Sequence, residues 1–143
     1  MSRSLDPSSP LGAPLLSAIS ETLDGYLTAQ EPMLTAIGAT ALLDVAREGT
    51  AGGKRLRPAY CYWSYVAAAG LPGDDAPLLK VASSLDLLHV SALVHDDLID
   101  AADTRRGLPA AHKRFEQLHA ARRGRGSEAE FGTSSAILLG DLL

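Results

Sequence analysis

From Leu11 onward, apolar residues recur at intervals of three and four, and no stretch alternates apolar with polar as a half-buried strand would. The spacing predicts amphipathic helices over 11–29 and 32–47. They are divided near Glu31-Pro32, because a proline disfavours helix in the residue before it. A loop over 49–53 leads to a buried helix over 58–69, and a turn over 71–75 leads to a long helix over 76–102. Further helices are expected over 109–121 and 128–143, separated by a charged glycine-containing loop at 122–127. Residues 1–10 carry no period and are expected to be disordered. With no strand pattern and no internal repeat, the fold class is all-α, a helical bundle.

The long helix holds the first candidate chemistry. Leu93-Val94-His95-Asp96-Asp97-Leu98-Ile99-Asp100 sets three carboxylates in an otherwise apolar run. At about 100° per residue, Asp100 falls within about 40° of Asp96, and Asp103 and His89 within about 20°. Asp97 points about 100° away from Asp96 and is ranked as the weaker ligand. A helix apolar nearly all round is usually buried. Carboxylates there must be protonated, paired or bound to a cation. An Asp-Asp pair alone also fits a solvated corner. In this context the carboxylates suggest a magnesium–phosphate site, since Mg²⁺ takes one or two of them and shares its other positions with water and phosphate.

Two basic clusters flank the acids. In Gly52-Gly53-Lys54-Arg55-Leu56-Arg57-Pro58 the glycines permit close backbone approach. Arg57 suits bidentate phosphate binding and Lys54 a point charge. Pro58 fits the first turn of a helix. In Asp103-Thr104-Arg105-Arg106-Gly107-Leu108-Pro109, Gly107 is expected to end the long helix. The paired arginines would hold phosphate oxygens or neutralise the helix end.

These clusters, in this order and spacing, resemble the trans-isoprenyl diphosphate synthase, or polyprenyl synthetase, family, in particular its actinobacterial geranylgeranyl diphosphate synthase-like members. The resemblance is close over roughly residues 50–143 and loose before that; His112-Lys113-Arg114-Phe115 and the Leu138-Leu139-Gly140-Asp141 stretch also fit. It implies an isoprenoid-synthase-type bundle, of which this chain would be the N-terminal part, with residues 11–143 belonging to the synthetase domain. By resemblance, Lys54, Arg57, His89 and Arg106 would hold isopentenyl diphosphate. Arg105 would hold the allylic diphosphate, and Asp96 and Asp100, with Asp97, would bind Mg²⁺ bridged to it. The resemblance assigns Asp103 no role; its place on the stripe suggests support from behind. Ser91 and Ala92, small residues about one turn before Asp96, would form part of the product-pocket floor and allow a product of twenty carbons or more. The implied activity is condensation of isopentenyl diphosphate with an allylic diphosphate into a longer trans-polyprenyl diphosphate, by a homodimer.

The rest of the composition narrows the alternatives. The 143 residues suit one domain or part of one, and 46% of them are hydrophobic, which argues against disorder. Formal charge is −4, yet Arg105–Arg125 holds a run of basic residues. Phe115 is its only aromatic residue and no nucleic-acid motif accompanies it, so nucleic acid is not expected as a partner. Single Cys61 excludes an internal disulfide and reads as a small buried hydrophobe. Tyr60, Tyr62, Trp63 and Tyr65 read as packing. No signal-peptide design opens the chain, and its longest uncharged run, 58–73, is interrupted by glycine and proline. A cytoplasmic protein without stable membrane insertion is expected.

After Asp103 the acids are single and scattered, so the family's second aspartate-rich motif has no match. The chain is therefore expected to bind magnesium–diphosphate weakly and not to turn over substrate alone. The rival reading is a non-catalytic helical subunit or interaction module of a partner prenyl synthase. A terpene cyclase would leave Gly52–Pro58 without a purpose.

Overall fold

A computed structural model describes residues 5–143; the first part of the stretch expected to be disordered, 1–4, lies outside the described residues. Residues 5–10 form a turn in place of the expected disorder. The Ser8 N–H and hydroxyl donate to the Asp6 carboxylate at 2.9 and 2.8 Å, and the Ser9 N–H donates to the Asp6 carbonyl at 3.0 Å. Those bonds from Ser8 hold the Asp6 carboxyl below its usual range.

Six helices follow: α1 (Ala13–Ala36), α2 (Thr40–Thr50), α3 (Leu56–Ala69), α4 (Ala76–Ile99), α5 (Ala111–Ala121) and α6 (Glu128–Leu142). A two-residue ladder, β1 (Thr104–Arg105) with β2 (Leu108–Pro109), lies between α4 and α5. The all-α expectation holds, and the ladder is too short to show as alternation. The chain divides into two compact units, Met1–Ala29 with Thr50–Leu87, and Gln30–Gly49 with Leu88–Leu143.

In the first unit Leu15, Ile19, Leu23 and Leu27 recur at helical spacing on α1 and are buried, as are Ala59 and Tyr62 of α3 and Leu79 and Ala82 of α4. Each large aliphatic side chain so placed contributes about 1.5–3 kcal/mol. Trp63 packs edge-on to Tyr62 and donates from Nε1 to the Pro10 carbonyl at 2.7 Å. The packing role expected for the aromatics therefore applies to these two; Tyr60 and Tyr65 are exposed. Cys61 is only half-buried.

In the second unit α1 continues through Pro32, where the sequence predicts a break. An interior proline removes one helical bond and crowds the preceding turn. Burial of Leu34 rewards the continuation, and the Glu31 and Arg47 side chains meet at 3.7 Å. The helix ends instead at Gly38, whose φ of 71° lets the Ala39 N–H reach the Leu34 carbonyl and the Gly38 N–H reach the Thr35 carbonyl. α5 and α6 form the best-defined pair. His112, Phe115 and His119 line the buried face of α5, and Gly132, Ala136, Leu139 and Gly140 that of α6. Ser127 caps α6 by accepting from the Glu130 N–H at 3.3 Å.

Two glycines set how closely α6 is approached. A Cβ on Gly132 would lie 2.6 Å from the His112 carbonyl oxygen, and one on Gly140 would lie 2.5 Å from the His95 ring. The Ser91 hydroxyl donates to the Gly140 carbonyl at 2.7 Å, which ties α4 to α6 at that point.

α4 departs from expectation in its exposure. By length and composition it is the one helix among the described residues apolar enough to cross a membrane. The sequence predicts burial nearly all round, yet Val81 is 61%, Leu88 64% and Ile99 82% exposed.

Substituting Gly132→Ala forces a methyl against backbone that cannot swing aside. The expected loss is about 1–3 kcal/mol of stability, read as a lower urea midpoint with unchanged helix content.

Candidate functional site

The acidic end of α4 is shaped by how that helix stops. The Ala102 N–H donates to the Asp97 carbonyl at 2.9 Å and the Ala101 N–H to the Leu98 carbonyl at 3.3 Å. Ala101 is left-handed, with φ 50°. This closing pattern usually takes glycine; here it ends the helix well before Gly107, the terminator predicted from sequence. The Asp100 N–H still donates to the Asp96 carbonyl at 2.8 Å, so these two acids sit on successive turns. Asp103 falls beyond the helix and does not continue the predicted stripe. It is exposed and faces Lys113 Nζ at 3.5 Å. Lys113 also bonds Glu116 at 3.1 Å, and this bond chiefly raises the ammonium above its ordinary pKa.

Gly107 serves a different turn. Arg106 and Gly107 both have positive φ, 53° and 79°, between paired β1 and β2. That is a two-residue hairpin turn of the type whose twist suits antiparallel strands. It leaves Arg106 exposed and Pro109 in the ladder, so α5 starts at Ala111 rather than at the predicted Pro109.

The hairpin places Arg105 on the acids. Its Nε donates to Asp97 Oδ1 at 2.8 Å, Nη2 bonds the same oxygen, and Nη2 lies 3.4 Å from Asp96 Oδ2. The hydrogen bonds donated to Asp97 lead the rise of the guanidinium pKa, against the opposing effect of burial. The side chain of Asp97 is 4% exposed and that of Asp96 55%. Asp97 is therefore a buried anchor for Arg105, while Asp96 and Asp100 face outward. Leu88 and Ala92, two turns and one turn upstream of Asp96, are exposed as well, and form an apolar lane leading to the acids. Ser91 is half-buried because its hydroxyl is bonded to α6. His89 is half-buried, and His95 Nε2 lies 3.6 Å from Asp141 Oδ1.

The basic loop before α3 belongs to the first unit. Lys54 and Arg57 are exposed, and among the described residues neither carries an ion pair. Arg55, the cation between them, turns inward. Its Nη1 donates to Asp86 Oδ2 at 2.8 Å and its Nη2 to the Thr50 carbonyl at 2.7 Å. The sequence reading passes over both Arg55 and Asp86. The signal was an acid on an apolar stretch of α4, which demands a cation.

Among the described residues no three histidine, cysteine or acidic side chains group as a metal cage. Two outward carboxylates one turn apart fit a cation that completes its shell with water and phosphate oxygens, as Mg²⁺ does.

The polyprenyl synthetase family model matches residues 39–143. Geranylgeranyl pyrophosphate synthase 11, chloroplastic, of Arabidopsis thaliana is 36% identical over 129 residues, covering 88% of this chain and 29% of that protein. A short chain isoprenyl diphosphate synthase of Methanothermobacter thermautotrophicus is 38% identical over 94 residues, covering 66% of this chain and 23% of its own length. The crystal structure of geranylgeranyl pyrophosphate synthase from Corynebacterium glutamicum, complexed with isoprenyl diphosphate and magnesium, aligns with a TM-score of 0.84 at 34% identity, over 96% of this chain and 39% of that one. The chain belongs to the polyprenyl synthetase family of trans-isoprenyl diphosphate synthases and has its all-α isoprenoid-synthase fold. It spans under a third of the length of these curated relatives.

Replacing Ala101 with glycine removes about 1–2 kcal/mol of left-handed backbone cost and adds about 0.4–1 kcal/mol of unfolded-state freedom. Ala101→Gly should therefore raise stability by up to about 1.6 kcal/mol, seen as a higher denaturation midpoint.

Proposed function

We propose that this chain carries diphosphate-binding machinery of a trans-prenyltransferase, with residues 11–143 forming a portion of its synthetase domain. The substrates are isopentenyl diphosphate and an allylic diphosphate, and the product is a trans-polyprenyl diphosphate of twenty carbons or more. The observation that carries this reading is the lane of Leu88 and Ala92 running to outward Asp96 and Asp100, with Arg105 held beside them by Asp97. An apolar lane ending at acids and an arginine suits a molecule with a hydrocarbon tail and a diphosphate head.

Each residue then has a task. The allylic diphosphate lies with its tail along Leu88 and Ala92 and its head toward Asp96, Asp100 and Arg105. Asp96 and Asp100 would hold Mg²⁺, which would supply positive charge against the leaving diphosphate; Asp97, buried against Arg105, anchors that arginine. Arg105, already fixed by Asp97, adds a cation where that charge develops, without reorganising during reaction. Lys54, Arg57, His89 and Arg106 hold isopentenyl diphosphate, whose double bond attacks the allylic carbon. Loss of a proton then restores neutrality in the hydrocarbon. Apolar walls keep water from the carbocation. The intact enzyme is read as a cytoplasmic homodimer.

The purified 143-residue chain should bind geranyl diphosphate in a magnesium-dependent way by titration calorimetry, without detectable chain elongation. Asp96→Asn with Asp100→Asn should weaken that binding at least tenfold. Binding that is indifferent to magnesium and to both substitutions would contradict the assignment. Turnover by this chain alone would overturn only the expectation that further residues are needed.

In a catalytically competent chain containing this segment, Ala92→Phe should fill the lane and shorten the product by at least one five-carbon unit. Chromatography of the dephosphorylated products reads this directly.

A further inference from the structure

We infer that Arg55 and Asp86 form a positioning pair for Lys54 and Arg57. They fix the shape of the Gly52–Pro58 loop, and through it the affinity for a diphosphate, without touching the ligand. The inference rests on the reading of Lys54 and Arg57 as diphosphate-binding cations.

The sequence offers three cations in four residues, and the structure separates them by task. Lys54 and Arg57 are exposed, whereas the side chains of Arg55 and Asp86 are each only 10% exposed. Both terminal nitrogens of Arg55 are engaged, Nη1 with Asp86 at 2.8 Å and Nη2 with the Thr50 carbonyl at 2.7 Å. A guanidinium so committed has little left for a phosphate. What it does instead is close a loop, since Thr50 ends α2 and Arg55 immediately precedes α3.

That loop is otherwise poorly determined. Gly52 and Gly53 have φ values of 72° and 82°, a region glycine enters and leaves freely. Arg55 itself sits at φ 50°, costly for a residue with a Cβ and held by its two side-chain bonds. Its carbonyl accepts from the Ala59 N–H at 3.1 Å, so the same residue starts α3. Lys54 precedes the pinned residue directly and Arg57 follows two positions later in the first turn. Their spacing is therefore set where Arg55 is gripped. A loop ordered before binding loses less freedom when the ligand arrives.

Asp86 needs the pair equally, because a buried carboxylate without a cation is strongly disfavoured. Removing one partner would leave the other stranded, whereas replacing both with apolar residues of similar size is often neutral for stability. That asymmetry separates positioning from simple stabilisation.

The test is a titration of the 143-residue chain with inorganic pyrophosphate in the presence of EDTA, following the Gly52 and Gly53 amide resonances. The wild type should shift on binding, and Lys54→Ala with Arg57→Ala should abolish the shift. The double variant Arg55→Met with Asp86→Leu should melt at or near the wild-type temperature yet bind at least tenfold more weakly. Asp86→Glu, which can rebuild the pair, should recover affinity to within about threefold, and Asp86→Asn should not. A double variant that melts and binds like wild type overturns the inference. If that variant does not fold, equal affinity of Asp86→Glu and Asp86→Asn overturns it. Absence of binding in the wild type, or its persistence without Lys54 and Arg57, overturns the underlying reading and this inference together.

Discussion

The need of a buried carboxylate for a cation shapes both basic segments of this chain. Two of α4's acids, Asp86 and Asp97, are buried, and a charge so placed is costly without a partner. Asp86 takes Arg55 from the loop before α3, and Asp97 takes Arg105 from the hairpin after α4. Each pairing fastens a segment that has little else to hold it. The loop has two glycines, and the hairpin is a two-residue ladder. The cations left exposed, Lys54, Arg57 and Arg106, flank the fastened arginines directly or at one remove. Satisfying the helix's own electrostatics thus shapes the segments that present charge to a ligand.

Glycine takes a second, steric part. Gly132 and Gly140 give α6 a surface without side chains where the His112 carbonyl and the His95 ring press against it. The Ser91 bond to the Gly140 carbonyl then draws α4 and α6 together one turn before Asp96. Ser91 is spent on this contact, which leaves Ala92 as the small residue open to the lane. Product length, on the proposed function, would therefore be governed more by Ala92 than by its neighbour.

Most helices were legible because burial repeats at helical spacing, as on α1 and α5. The misreadings share a cause: backbone choices made by tertiary contacts. Pro32 reads as a break, yet burial of Leu34 carries α1 past it. Asp103 reads as part of a helical stripe only if α4 continues, and a left-handed alanine at 101 stops it. No residue preference announces that geometry at alanine. Gly107 reads as the stop of α4, yet it serves a turn between two strands too short to alternate. At the site, residue types pointed to the outward acids and cations. Partners do not follow from types, so Arg55 is passed over, and Asp97 reads as a lesser ligand rather than an anchor.

Among the described residues, four other than glycine hold positive φ: Arg55, Ala101, Arg106 and Arg123. Three are arginines, and two of those stand in the segments discussed above. Relaxing the main chain there with glycine would delete a guanidinium along with the strain. Of these four, only position 101 can gain stability from glycine without sacrificing charge. Attempts to make this scaffold hardier will find their freedom at the alanine, while the tense arginines mark where durability has been traded for grip.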